Sequence, residues 1–225
     1  MENRIHPTAI LEGSVDLGSG NVIGPYTTLV GPLTIGDENR IGPFASLGGA
    51  PDELSARPKM ASGAIEIGSR CLIRDFVSVH KPFHGELTSI GDDVYLMHGS
   101  YVAHDATLYD KSTVAQSASI GGLCKIHEGA YIAMGAAVQQ RTVVGGYSIV
   151  AAAAAAVRCV PPFSRYIPGQ ALGVNTYALE RYGFDSDAAE IEAYVMKRRR
   201  PQSAWIAPLV DLYDHDRSAA GLSEY

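Results

Sequence analysis

An aliphatic residue recurs at every sixth position over most of this chain, and this period constrains the fold more than any other feature of the sequence. The first series comprises Ile5, Leu11, Leu17, Ile23, Leu29, Ile35, Ile41 and Leu47. A second comprises Ile67, Ile73 and Val79, and a third comprises Ile90, Leu96, Val102, Leu108, Val114, Ile120, Ile126, Ile132, Val138, Val144 and Val150. A period of six differs from the 3.6-residue period of an α-helix and from the alternation of a hairpin strand. It is typical of a solenoid whose coils have three short flat faces.

Each hexad also carries a second, mostly small residue four positions after its aliphatic residue. Cys71 and Cys124 occupy this position, so we interpret them as small interior residues. Three hexads make a coil of 18 residues, and successive coils should stack about 4.8 Å apart. The 22 hexads predict about seven coils of a parallel β-helix over residues 1–157. An extended linker and an α-helical region should follow over residues 158–225.

The repeat stops after Ala156, where Pro161 and Pro162 exclude a helix and favour an extended linker. We predict helices over residues 175–181 and 186–200, with Ser186 as the N-cap of the second. A third helix is expected around residues 204–213. This tail should cover the open end of the β-helix.

Two segments interrupt the register, the first loop over residues 49–64 and the second loop over residues 81–89. Solenoids accommodate insertions at their corners, and such loops often lie on the binding face. We therefore expect both loops to contact substrate. The alternative is that they are ordinary surface insertions.

Composition excludes several classes of protein. The formal net charge of −6 argues against a nucleic-acid-binding protein, which needs a broad basic surface. The first residues lack an apolar signal segment, and no apolar run is long enough to span a bilayer, so we expect a cytoplasmic protein without membrane insertion. Three widely spaced cysteines without a CxxC pair suggest neither a disulfide framework nor a thiolate zinc site.

One corner of the predicted coils carries a candidate catalytic group. His104 is the third residue of its hexad, Gly122 follows 18 residues later, and Gln140 follows after another 18. Stacking would place a base, a bare backbone position and an amide in one column. Asp105 could bind the second nitrogen of the imidazole. Acyl transfer needs such a base and a donor for the developing oxyanion. The alternative is a solvent-facing histidine without function.

Three segments of the chain resemble a known family: LMHGSYVAHDATL, SASIGGL and VPPFSRYIPGQALGVNTYALERYGF. Together they are similar to the UDP-N-acetylglucosamine acyltransferases of lipid A biosynthesis. The resemblance implies a left-handed β-helix, a homotrimer, and acyl transfer from a thioester of acyl carrier protein to a sugar nucleotide. The resemblance implies neither a cofactor nor a metal. The co-substrate would be the thioester of acyl carrier protein or of coenzyme A.

The resemblance also assigns roles to individual residues. It makes His104 the general base, Asp105 its partner, and Gly122 the donor to the oxyanion. The residues that it places near the substrates are Glu53, His80, Gln140, Asn175 and Arg181. Where the family carries further histidines, this chain has Tyr101, Leu123 and Gln139, so we expect these residues to line a rebuilt substrate pocket.

Other interpretations stay open at this point. A coenzyme A-dependent sugar acetyltransferase would share the fold, and a zinc hydratase would use His80, His98 and His104. A third alternative is a scaffold without catalysis. The basic residues 197–200, together with Arg57 and Lys59, could bind acyl carrier protein, or the former could simply complement the dipole at a helix C-terminus.

Overall fold

The computed structural model describes residues 1–52 and 63–221. Its main body is a parallel β-helix in which successive strands enter three sheets in turn, here called A, B and C. Sheet A contains β1 (Arg4–Ile5), β4 (Val22–Ile23), β7 (Arg40–Ile41), β10 (Leu72–Ile73), β13 (Tyr95–Leu96), β16 (Thr113–Val114), β19 (Tyr131–Ile132), β22 (Ile149–Val150), β24 (Ser164–Tyr166) and β25 (Gly173–Val174).

Sheet B contains β2 (Ile10–Glu12), β5 (Thr28–Val30), β8 (Ser46–Gly49), β11 (Ser78–His80), β14 (Tyr101–Val102), β17 (Ser119–Ile120), β20 (Ala137–Val138) and β23 (Ala155–Ala156). Sheet C contains β3 (Val15–Leu17), β6 (Leu33–Ile35), β9 (Ala64–Ile67), β12 (Leu87–Ile90), β15 (Thr107–Leu108), β18 (Lys125–Ile126) and β21 (Val143–Val144). The turns that join the sheets form three edges of the prism, which we call the A–B, B–C and C–A corners.

The register agrees with the six-residue period. Strands one coil apart pair in parallel, so that Tyr101 lies opposite Ser119 and Val102 lies opposite Ile120. From Ile23 to Val150 the periodic aliphatic residues are buried in one continuous core. Both interruptions leave the B–C corner, the first between β8 and β9 and the second between β11 and β12. The pairing of Val79 with Leu47 shows that the helix resumes its stacking across the first loop.

The last coil merges into the C-terminal region. Strand β24 still pairs in parallel with β22, beyond the proposed boundary at residue 157, and β25 then pairs with β24 in the antiparallel sense. The division into residues 1–157 and 158–225 stays a prediction. None of the helices over the described ranges is long and apolar enough to cross a membrane.

Three helices follow, and their bounds correct the sequence prediction. They are α1 (Thr176–Tyr182), α2 (Ala188–Lys197) and α3 (Ala207–Ala220), with a 3-10 turn over Asp185–Asp187. Ser186 lies inside that turn and is not the N-cap of α2, a position taken by Asp187. The predicted end at residue 200 was wrong because Arg198 adopts a left-handed conformation that ends α2.

The tail extends along the flank of the β-helix instead of only covering its end. Helices α1 and α2 pack on Tyr147 and Phe163 at the C–A corner. Helix α3 packs on sheet C, where Tyr213 contacts Val143 and Cys159. Because sheet C borders the B–C corner, α3 lies beside the column that contains His104.

Candidate active site

The B–C corner brings three predicted residues into one column. His104 lies between β14 and β15, and Gly122 lies one coil further on, between β17 and β18. The Leu123 N–H donates to the His104 carbonyl at 3.0 Å, and the Arg141 N–H donates to the Gly122 carbonyl at 2.8 Å. Gln140 is therefore stacked above Gly122 as Gly122 is above His104. The predicted stacking is confirmed as geometry.

The imidazole of His104 lies directly against the backbone of Gly122. A Cβ added at Gly122 would lie 2.4 Å from Cε1 and 2.6 Å from Nε2 of the ring. Only a glycine leaves room for the ring in this position. Within residues 1–52 and 63–221, no group accepts a hydrogen bond from the Gly122 N–H. The column therefore places a backbone donor beside the imidazole.

Asp105 orients this imidazole and binds the second loop. Its Oδ2 lies 2.7 Å from Nδ1 of His104. Because a carboxylate can only accept, Nδ1 donates and Nε2 becomes the basic nitrogen. The same carboxylate accepts hydrogen bonds from the backbone N–H groups of Phe83, His84 and Gly85 at 2.9, 3.0 and 2.6 Å. One buried side chain thus connects the loop to the candidate base.

The charge of Asp105 is maintained by these hydrogen bonds. Burial by itself would raise the pKa of the carboxyl, but the N–H groups of His84 and Phe83, followed by His104 and Gly85, lower the pKa below its usual range. The carboxylate is therefore ionised at neutral pH. It can stabilise the imidazolium that forms when His104 accepts a proton.

The second loop also covers the imidazole. The ring of His84 lies 5.5 Å from that of His104, and the ring of Phe83 lies 6.2 Å away. His104 is only 3% exposed, so the alternative of a solvent-facing histidine does not describe the single chain. The sequence did not single out Phe83, His84 or Gly85, because an insertion has no repeat that fixes its residues. The position of the loop was the only signal available.

Two further predicted residues lie in neighbouring coils of the same region. The Tyr101 hydroxyl lies 3.3 Å from Nδ1 of His80 and 3.5 Å from the Asp52 carboxylate. Burial lowers the pKa of His80 and raises that of Tyr101 to about 12. The proximity of His104 lowers the pKa of His80 further. Glu53 lies outside the described residues.

The remaining corner residues, Leu123, Gln139 and Gln140, lie above His104. Both glutamines are exposed. Leu123 has a φ of 61° and lines a cavity of about 280 Å³ between the corner and α3. The structure thus brings Leu123 next to the column, facing sheet C.

Asn175 and Arg181 are not brought together with His104 in one chain. They line a different cavity, also of about 280 Å³, between α1 and the outer face of sheet A. The Asn175 side chain is buried and donates to the Tyr147 carbonyl at 2.8 Å, and Arg181 donates to the Tyr177 hydroxyl at 3.1 Å. The predicted site residues therefore form two groups on different faces of the prism.

The alternative histidine site and the basic segment have other partners. His98 lies at the A–B corner, where its Nδ1 is 2.6 Å from Asp75, away from the corner that holds His104. No cluster of three or more potential metal ligands occurs in the described part of the chain. Arg200 forms ion pairs with Asp211 and Asp214 of α3. Residues 57 and 59 of the basic set lie outside the described ranges.

Comparison with known proteins places this chain in a family. No family profile matches the chain. An acyl-[acyl-carrier-protein]–UDP-N-acetylglucosamine O-acyltransferase of Paraburkholderia phymatum is 34% identical over 208 residues, which cover 83% of this chain and 79% of the relative. A protein of the same name from Herminiimonas arsenicoxydans is 35% identical over 204 residues, which cover 81% and 75%. This chain belongs to the acyl-[acyl-carrier-protein]–UDP-N-acetylglucosamine O-acyltransferase family.

Solved structures of this acyltransferase family have the same fold. The UDP-N-acetylglucosamine acyltransferase of Bacteroides fragilis matches with a TM-score of 0.73 and 26% identity, covering 93% of this chain and 94% of its own. That of Francisella novicida matches with a TM-score of 0.77 and 21% identity, covering 97% and 87%. The predicted left-handed parallel β-helix with a small α-helical C-terminal part is confirmed. The resemblance to the acyltransferase family is confirmed as well.

Proposed function

We propose that this chain transfers an acyl group from an acyl carrier protein thioester to a hydroxyl of a UDP-N-acetylglucosamine-like sugar nucleotide. The single observation that carries the mechanism is the buried Asp105–His104 pair, whose ring rests on the bare backbone of Gly122. Family membership favours this reaction over the coenzyme A-dependent acetyltransferase. We propose acyl carrier protein and the sugar nucleotide as the partners and the cytoplasm as the location. The reaction needs no cofactor besides the thioester, which is a co-substrate.

In this mechanism Nε2 of His104 removes the proton of the acceptor hydroxyl as its oxygen attacks the thioester carbonyl carbon. The new C–O bond produces a tetrahedral intermediate, whose negative oxygen accepts a hydrogen bond from the Gly122 N–H. Collapse breaks the C–S bond. The imidazolium then gives its proton to the departing thiolate, and Asp105 stabilises the imidazolium throughout.

We also propose a homotrimer in which each site is shared by two chains. The support comes from the separation described above: His104 lies at the B–C corner, whereas Asn175 and Arg181 lie over sheet A. Cyclic symmetry can bring the corner of one chain onto the sheet A face of the next. Such packing turns the A–B corner inward. That corner exposes a stack of aromatic rings, Tyr26, Phe44 and Phe76, with centroids 5.1 and 5.2 Å apart.

Substitution of His104 tests the catalytic assignment. Loss of a general base costs about 100-fold to 10,000-fold in rate. His104→Ala should therefore abolish turnover while the circular dichroism spectrum and the assembly are kept, and Asp105→Asn should give a smaller loss. Retention by His104→Ala of more than about a tenth of the wild-type rate would show that His104 is not the base.

A product analysis tests the substrates. The chain is incubated with carrier-protein thioesters and with acetyl coenzyme A, each together with a panel of UDP-sugars, and the products are identified by mass spectrometry. We expect acylation from the carrier-protein thioesters. Turnover of acetyl coenzyme A alone would support the acetyltransferase instead.

A further inference from the structure

The side chain of Tyr147 lies behind the cavity that Asn175 and Arg181 line. Tyr147 is not among the described residues that line this cavity. It lies at the C–A corner between β21 and β22, is 7% exposed, and packs against α1. Its ring rests on the bare backbone of Gly129, where a Cβ would lie 2.5 Å from Cδ1 and Cε1 of the ring. Tyr147 can therefore affect the cavity only through the residues that it contacts.

One of these contacts determines the orientation of Asn175. The Asn175 side chain is buried, and its Nδ2 donates a hydrogen bond to the Tyr147 carbonyl oxygen at 2.8 Å. Because a carbonyl oxygen can only accept, the NH2 group must face Tyr147. Asn175 directly precedes α1, so the same hydrogen bond attaches the start of this helix to the β-helix.

A second contact connects Tyr147 to Arg181 through Tyr182. The rings of Tyr147 and Tyr182 meet edge to face, with centroids 4.9 Å apart. The guanidinium carbon of Arg181 lies 5.8 Å from the ring centroid of Tyr182 and 5.9 Å from that of Tyr177. The Tyr177 hydroxyl also accepts a hydrogen bond from Nη1 of Arg181 at 3.1 Å. Since a cation is attracted to the faces of aromatic rings, the two tyrosines restrain the guanidinium at the cavity.

The Tyr147 ring is itself held by its hydroxyl group. The hydroxyl donates to Oε1 of Glu128 at 2.8 Å, and Nζ of Lys111 lies 2.7 Å from the same oxygen. Burial and the hydrogen bond to Glu128 raise the pKa of Tyr147, so the hydroxyl stays protonated and donates at neutral pH. Hydrogen bonds to an ionised acceptor are stronger than those between neutral groups. A polar contact therefore fixes the ring in addition to apolar packing.

We infer that Tyr147 is a positioning residue for the sugar nucleotide. The inference rests on the proposed function, which assigns the nucleotide to Asn175 and Arg181. The Tyr147 carbonyl orients Asn175, and its ring restrains Arg181 through Tyr182. Because Tyr147 lies at a different corner from His104 and does not line the cavity, it should affect binding of the nucleotide and not the chemical step.

Removing the hydroxyl group tests the inference. Tyr147→Phe keeps the ring and breaks the hydrogen bond to Glu128. Substitutions in a connected network that do not touch the ligand change binding by about 2-fold to 30-fold. We expect Tyr147→Phe to raise the KM about tenfold for the UDP-sugar that the product analysis identifies. The kcat and the KM for the thioester should stay at their wild-type values.

Tyr109→Phe is the matched control. The Tyr109 hydroxyl also donates to a carboxylate, that of Asp216 at 3.3 Å, but Asp216 belongs to α3 and not to α1. Each variant loses one hydroxyl group that is bonded to a carboxylate, so a general loss of stability would appear in both. We expect no change in any KM for Tyr109→Phe.

A binding measurement with UDP as the probe does not depend on turnover. Isothermal titration calorimetry should show about tenfold weaker binding of UDP to Tyr147→Phe and to Glu128→Ala. The double variant should bind UDP no more weakly than the weaker single variant, because both substitutions break the same contact. Light scattering on each variant confirms that the assembly is kept.

Wild-type affinity of Tyr147→Phe for UDP, or an equal loss of affinity in Tyr109→Phe, would overturn the positioning role. Either result would leave the nucleotide assignment of Arg181 intact. If Arg181→Ala binds UDP as tightly as wild type, the proposed nucleotide site itself is refuted, and the inference fails with it. The two failures are therefore distinguishable.

Discussion

At the scale of single residues, the position of the candidate base depends on the missing side chain at Gly122 as much as on the carboxylate of Asp105. The His104 ring occupies the space that a side chain at position 122 would need. Asp105 holds the other side of the ring and is itself held by three backbone N–H groups of the second loop. The imidazole is therefore restrained from both sides.

A methyl group at position 122 should move the base. In Gly122→Ala the new Cβ would overlap the imidazole, and a displacement of about 1 Å from the reactive geometry costs about 100-fold in rate. We expect a loss of kcat of this size with an unchanged circular dichroism spectrum. Gly173→Ala is the control, because its Cβ would meet its nearest neighbour, Arg165, at an ordinary 3.5 Å. A kcat for Gly122→Ala close to wild type would show that the contact has no catalytic importance.

At the scale of elements, polar side chains form contacts that the aliphatic period does not determine, both between coils and between α3 and the β-helix. In the lower coils, buried asparagines form a ladder in which the Asn39 N–H donates to Asn21 and the Cys71 N–H donates to Asn39. In the upper coils, Asp216 performs the corresponding role between α3 and sheet C. Helix α3 is thus attached by an ionic contact as well as by apolar packing.

Acid should loosen α3 through Asp216. Burial would raise the pKa of this carboxyl, but hydrogen bonds from His127 and Lys125 lower it to about 2. A lowered pKa in the folded state adds stability above the unfolded pKa of about 4, and this stability disappears as the pH falls towards 2. Asp216→Asn should therefore cost on the order of 2 kcal/mol at pH 7, and the difference from wild type should shrink between pH 4 and pH 2.

Urea unfolding followed by circular dichroism at several pH values measures this difference. Asp214→Asn on the same helix is the control, because Asp214 is partly exposed and its ion pairs should contribute less than about 1 kcal/mol. If Asp216→Asn lowers the free energy of unfolding by the same amount at pH 7 and pH 2, the ionic attachment of α3 is contradicted.

The sequence predicted the elements that repeat and missed those that do not. The 18-residue coil was sufficient to stack Gly122 over His104, because the chain returns to the same corner at the same hexad position after 18 residues. It was not sufficient to pair Asp216 with His127, 89 residues away in the chain, since no period relates α3 to the β-helix. The contacts of His84 and Gly85 with Asp105 depend on the fold of an insertion. Local propensity placed the helices but not their ends, which backbone conformations such as that of Arg198 determine.

At the scale of the whole molecule, the proposed site is complete only between chains. Light scattering should report a mass close to three chains. Mixed assemblies of His104→Ala and Arg181→Ala chains should regain about a quarter of the wild-type activity, because random mixing restores that share of sites in which one chain supplies His104 and the next supplies Arg181. Each variant alone should be nearly inactive.

The matched control mixes His104→Ala with Gly122→Ala chains. Both residues lie at the same corner of one chain, so no combination of these chains rebuilds an intact site. We expect no recovery in this mixture. Recovery in both mixtures, or in neither, would contradict a site shared between the B–C corner and α1.

The two loops and the base lie on successive coils of one corner, and this has a consequence for how the molecule can change. Each coil rests on its neighbours through a register of 18 residues, so the vertical distance between a loop and His104 is fixed in steps of about 4.8 Å. Inserting one complete coil between them would leave every strand paired in parallel with a neighbour one coil away and would move the loop by one step. The distance between the loop and His104 would then match substrates of different length in steps of one coil, and not by gradual deformation of a pocket.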